Sequence, residues 1–103
     1  MMQDLQRQYI RRAMMTVLAY DSDYRLSLDM IGAALEATGQ NSTYDQLQTE
    51  AQWLEEQGYV RRELLPITVI SLTDRGLEIA RGKAKAYGIR DLRPSEIAEM
   101  SQR

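Results

Sequence analysis

Leu5, Tyr9, Ala13 and Val17 recur every four residues, with Ile10, Met14 and Leu18 beside them. That spacing draws one apolar stripe and predicts a first helix from about Asp4 to Tyr20. Arg7, Arg11 and Arg12 fall off the centre of the stripe, and Asp21-Ser22-Asp23 supplies turn formers at its end. Ser27 is placed to cap a second helix, with Asp29 in the first turn where the helix dipole favours it. Ile31, Ala34, Leu35 and Thr38 then follow at i, i+3, i+4 and i+7, and Gly39 stops the run. A third helix is expected from Ser42, where Ser42-Thr43-Tyr44-Asp45 has the spacing of a capping box. Tyr44, Leu47, Ala51 and Leu54 give its buried stripe, Trp53 widens it, and Gly58 ends it.

From Tyr59 the period changes. Tyr59 to Leu64 and Ile67 to Thr73 read as two strands, the second rich in β-branched residues. Pro66 cannot donate to a central ladder, so Leu65-Pro66 belongs in the turn of a β-hairpin. Thr73 caps a fourth helix with Leu77, Ile79 and Ala80 inward; Gly82 ends it, or it continues to Tyr87 with Gly88 as the stop. Beyond Pro94, Ser95 to Met100 predicts a short terminal helix. Helix, short extended piece (Tyr24-Arg25-Leu26), helix, helix, strand, strand, helix is the layout of a winged helix-turn-helix. It is mainly α with a β-hairpin, and the extended piece adds a third strand. On this reading residues 1–88 form the winged-helix domain and residues 89–103 a C-terminal tail. Trp53, Leu54, Leu47, Ile31, Leu35, Val17, Ile70 and Leu72 are the expected core.

Composition narrows the chemistry. A chain of 103 residues builds one core. It contains no cysteine and no histidine. Disulfides and thiolate metal sites are therefore excluded, and the commonest general base is missing. Asp21 and Asp23 lack the further ligands and glycine of a calcium loop. Glu55 and Glu56 are adjacent on a helix and point to different faces, and no Gly-rich loop precedes a helix. No catalytic residue, metal or cofactor is expected. Apolar runs are far too short for a membrane span, and the start of the chain lacks a signal-peptide pattern, so the expectation is a cytoplasmic protein without a membrane partner.

Two stretches resemble winged-helix transcriptional regulators. One is Leu54-Glu55-Glu56-Gln57-Gly58-Tyr59-Val60; the other is Leu72-Thr73-Asp74-Arg75-Gly76, which runs on through Leu77-Glu78-Ile79-Ala80. The pairing of these two stretches across a hairpin is specific for fold and weak for function. Over nearly the whole chain, length and order also resemble small winged-helix proteins of Mu-like phages and prophages. Leu77-Glu78-Ile79-Ala80-Arg81-Gly82-Lys83, Gly88-Ile89-Arg90 and Arg93-Pro94 carry that resemblance. Such proteins are often labelled arsenic-repressor-type regulators. The metal-sensing part of that label needs cysteine or histidine and does not transfer.

The resemblance implies double-stranded DNA as partner and a role in transcription regulation. The third helix would enter the major groove with Thr43, Gln46, Gln48, Thr49 and Gln52 as base-contacting candidates, since Gln suits adenine and Thr the thymine methyl. Arg25, Arg61 and Arg62 are the phosphate candidates, expected to line one basic edge. Charge opposes this. Leu26 to Val60 holds Asp29, Glu36, Asp45, Glu50, Glu55 and Glu56 and no Lys or Arg, and the hairpin tip Leu64-Leu65-Pro66-Ile67 is apolar. The alternative is a protein–protein interaction module using that tip. Either way a homodimer is expected, through the wide stripe of the first helix and the C-terminal segment.

Overall fold

The computed structural model describes residues 1–64 and 66–101. Leu65 of the expected tip and the last two residues of the tail lie outside the described residues. The elements are α1 (Met2–Tyr20), β1 (Arg25–Ser27), α2 (Leu28–Ala37), α3 (Tyr44–Glu56), β2 (Val60–Glu63), β3 (Val69–Leu72), α4 (Asp74–Ala80) and α5 (Pro94–Ser101). The fold is mainly helical with a small antiparallel sheet of order β1-β3-β2. The core lies between the helices and one face of that sheet. Met14, Met15 and Leu18 of α1 meet Leu28, Ile31 and Leu35 of α2, Leu47, Ala51 and Leu54 of α3, and Ile70 of β3.

Most punctuation falls where the sequence puts it. Ser27 caps α2 by accepting from the Met30 N–H. The α3 cap is Thr43 rather than Ser42: its hydroxyl accepts from the Gln46 N–H, so Ser42 and Asp45 form no capping box. The fourth helix takes the shorter of its two expected lengths, because Gly82 adopts φ +79° and turns the chain out of the helix. The short strand is Arg25–Ser27 rather than Tyr24-Arg25-Leu26, displaced by one residue because Tyr24 sits in the left-handed region (φ +56°). Ile67 and Thr68 fall outside β3, which begins at Val69.

The two stretches that resemble regulators prove to be a clasp between the end of α3 and the start of α4. Gly58 leaves α3 at φ +83°. The Thr73 hydroxyl donates to the Gly58 carbonyl at 2.8 Å and accepts from the Gly76 N–H at 3.0 Å, capping α4. Gly76 lies so close to Tyr59 that a Cβ there would sit 1.9 Å from the Tyr59 carbonyl oxygen. Arg75 stacks over the Tyr59 ring. Gly58, Tyr59, Thr73, Arg75 and Gly76 thus all serve the turn and the cap, which accounts for the motif's specificity for architecture.

Three charged residues join the core, against the expectation that the α1 arginines stand aside from it. Glu50 of α3 is 1% exposed and accepts from the Arg11 Nε at 2.7 Å and the Arg7 Nε at 2.9 Å. The Arg11 guanidinium also lies flat over Trp53, 3.8 Å from the ring centre, and donates to the Gly88 carbonyl. Trp53 is consequently half-buried under an arginine rather than central to the core, and Val17 and Leu72 are likewise only partly buried. Arg12 is 2% exposed and donates to the carbonyls of Ile79, Ala80 and Arg90. It thus closes the carbonyl end of α4. Burial, with Arg90 nearby, pushes its guanidinium below the ordinary value.

The chain beyond Gly88 folds back on the same body. Ile89 is buried, the Arg90 N–H donates to the Gln8 carbonyl, and the Arg90 guanidinium faces the Tyr9 ring. Arg90 forks onto both oxygens of Glu96, at 3.1 and 3.0 Å, and so ties down α5. Among the described residues no helix is long and apolar enough to cross a membrane.

Candidate nucleic-acid interface

α3 divides cleanly. Leu47, Glu50, Ala51 and Leu54 face the core, while Asp45, Thr49, Gln52 and Glu56 are exposed at intervals of four, three and four residues along one outer stripe. The five base-contacting candidates do not share one role. Thr49 and Gln52 stand on the outer stripe, and Gln46 is half-buried beside it. The Thr49 hydroxyl donates back to the Asp45 carbonyl. Thr43 is the helix cap. Gln48 ties two elements together, its Nε2 donating to the Tyr44 hydroxyl at 3.1 Å and to the buried Thr68 Oγ1 at 3.0 Å. Both amide hydrogens are then committed, and a donor for a base nitrogen is no longer free.

The three arginines do not form one edge. Strand register pairs Arg25 with Ser71 and Ser71 with Arg61, so these three share one face of the sheet. Arg62 pairs with Ile70, which is fully buried, and therefore points to the opposite face. There it meets Glu55 of α3, Nη2 to Oε1 at 2.9 Å, and its side chain is only 15% exposed. A strand alternates its side chains, so neighbours in sequence cannot line the same edge. Arg25 pairs with Glu63 at 3.1 Å on the open surface. Among the described residues Arg61 has no ion-pair partner.

The same pairings change the charge of the surface. Glu50 is withdrawn into the core and Glu55 is matched by Arg62, so the acidity counted along this stretch overstates what α3 presents to solvent. What remains outside on α3 is Asp45 and Glu56 flanking Thr49 and Gln52. Beside them is an apolar rim. Leu64 and Ile67 at the hairpin end are each 54% exposed, Tyr44 is linked to Thr68 through Gln48, and Met30 stands exposed in the first turn of α2. The Leu28 N–H at the start of α2 donates to the Thr68 carbonyl, which brings that turn to the hairpin.

Sequence reasoning missed the buried Arg7–Glu50–Arg11 group, whose partners lie 43 and 39 positions apart. The available signal was a glutamate at a core-facing position of α3, between Leu47 and Leu54. No residue inside the helix explains it, and a buried carboxylate requires a cation.

These features define a small, mainly helical protein with a three-stranded antiparallel sheet. The chain is 31% identical over 85 residues to the uncharacterized protein gp26 of Escherichia phage Mu, a match covering 82% of this chain and 88% of that protein. It belongs to the same family. No protein-family profile matches the chain, and no solved structure matches it.

Proposed function

We propose that this is a phage-encoded winged-helix protein that binds double-stranded DNA and regulates transcription. α2 and α3 serve as the helix-turn-helix and β2–β3 as the wing, with residues 1–88 as the functional unit and the segment from residue 89 as its appendage. The observation that carries the reading is the outer stripe of α3. Thr49 and Gln52 are exposed side by side with no packing duty, and the acidic residue between them in sequence, Glu50, is buried and neutralised. The base-reading set narrows to Gln46, Thr49 and Gln52. Phosphate contact falls to Arg61 and to Arg25, whose exposed pair with Glu63 is weak enough to exchange.

Fluorescence anisotropy with a random-sequence duplex in a salt series tests this. The expected result is weak binding, roughly 10⁻⁴–10⁻⁶ M near physiological salt, that tightens steeply as salt falls. No binding at low salt overturns it. A second reading, docking to another protein, is favoured by the rim of Met30, Tyr44, Leu64 and Ile67 beside the same helix. Under that reading Ile67→Ser removes partner binding, and DNA affinity is absent throughout.

A further inference from the structure

Surface helices usually turn charged residues to water and apolar ones inward. α1 does the reverse along part of its length. Arg11 and Arg12 are buried, and Arg7 reaches inward to the buried Glu50. At 100° per residue, Met2, Leu5, Tyr9, Ala13, Thr16 and Tyr20 fall within one narrow sector to which α1 itself contributes no charged side chain; Ala13, Thr16 and Tyr20 are partly buried, and the Arg90 guanidinium lies over the Tyr9 ring. Met2 is 73% exposed and Leu5 50%. Beside this end of the seam the loop of residues 39–42 forms a groove of about 340 Å³ with Met2, Leu5 and Gln6. In that loop Gln40 Oε1 and Ser42 Oγ are buried with no hydrogen-bond partner among the described residues.

We propose that the seam of α1 is covered by the α1 of a second copy, antiparallel across a two-fold axis near the level of Arg11. That axis sets Tyr9 opposite Ala13, a large side chain over a small one, and Met2 opposite Tyr20. Leu5 then meets the stretch around Thr16. α1 contributes only uncharged side chains to this face, and an antiparallel copy repeats every fit twice. The same arrangement carries the Thr16 hydroxyl of the second copy toward the loop that holds the unpartnered Gln40 and Ser42. From Met2 to Tyr20 the seam is about 27 Å long. Neither α3 nor the hairpin takes part, so the interface stands apart from the DNA reading. The C-terminal segment is bound to its own α1 through Arg12 and Arg90, which leaves the seam itself as the dimer surface.

Sedimentation velocity over a wide concentration range, with light scattering on a sizing column, tests the proposal on the full chain. A reversible dimer is expected. Leu5→Glu and Ala13→Glu each shift it to monomer, with an unchanged far-UV circular dichroism spectrum showing that the fold survives; Met2→Glu, at a more exposed site, does the same if either fails to fold. Gln52→Glu on α3 leaves the dimer intact. A wild-type monomer at every concentration overturns the proposal. So does a dimer that persists in the glutamate variants, or a series of larger open assemblies, which an isologous pair does not produce.

Discussion

Replacing Glu50 with leucine leaves the buried Arg11 and the half-exposed Arg7 without their carboxylate. Breaking a buried pair from one side costs about 3–5 kcal/mol, because the remaining charge stays in a poor solvent. Glu50→Leu is expected to lose that much in urea denaturation. Adding Arg11→Met is expected to return part of it, with the remainder reflecting the lost stack on Trp53 and the lost bond to Gly88. Gly76 provides a second residue-scale outcome. A Cβ there meets the Tyr59 carbonyl, a backbone atom that cannot swing away. Gly76→Ala should destabilise by about 3 kcal/mol, the upper range for overpacking, and be visible as a lower melting temperature. The glycine was legible in the sequence as part of a motif, but its reason was not: it answers to a carbonyl 17 positions earlier, brought close only by the hairpin. The Glu50 group was hidden for the same cause. Periodicity reports which residues share a face and is silent on which faces meet.

At the scale of elements, helices and their stops follow from local chemistry. Ser27 and Thr73 cap as their hydroxyls suggest, and Gly39, Gly58 and Gly82 end helices in the left-handed region. What required tertiary context was strand phase. Tyr24 sits in a left-handed turn, with its hydroxyl accepting from Arg81 and that guanidinium near its ring, and this sets β1 one residue late. α5 has an anchor of another kind. Its Glu96 receives both arms of Arg90, and chiefly through that bond its carboxyl is held down at about 2 against an ordinary 4.5. The folded value is the lower one, so the bond's contribution is complete above about pH 4.5 and is lost as pH falls toward 2. Its side chain is about one-third exposed, which keeps the effect to about 1 kcal/mol or less. Protection of the α5 amides against exchange, taken relative to their intrinsic rates, should fall through that window while that of α3 holds, and Glu96→Gln should remove the dependence.

For the whole molecule the decisive quantity is where charge ends up. Counted along the chain, six carboxylates and no cation between Leu26 and Val60 argue against a duplex. Folding moves Glu50 inward against Arg7 and Arg11 and sets Arg62 against Glu55, so two of the six carboxylates leave the exposed balance, each with its cations. Arg61 and Arg62 are adjacent in sequence and equal in charge, yet the pleat sends them to opposite faces of the sheet. This makes them a matched pair of probes. If the duplex meets the face carrying Arg25 and Arg61, Arg61→Ala should weaken binding about equally for all sequences and reduce the slope of log K against log salt by about one. Arg25→Ala should do the same, less the fraction already spent on Glu63. Arg62→Ala should leave that slope unchanged and instead lower stability by about 1 kcal/mol, since its charge is engaged with α3 and its loss frees Glu55. Equal slopes for Arg61→Ala and Arg62→Ala would mean that the hairpin re-pairs on DNA. A slope insensitive to Arg25, Arg61 and Arg62 alike would move the phosphate contacts off this sheet altogether and leave the rim of Leu64 and Ile67 as a surface for protein.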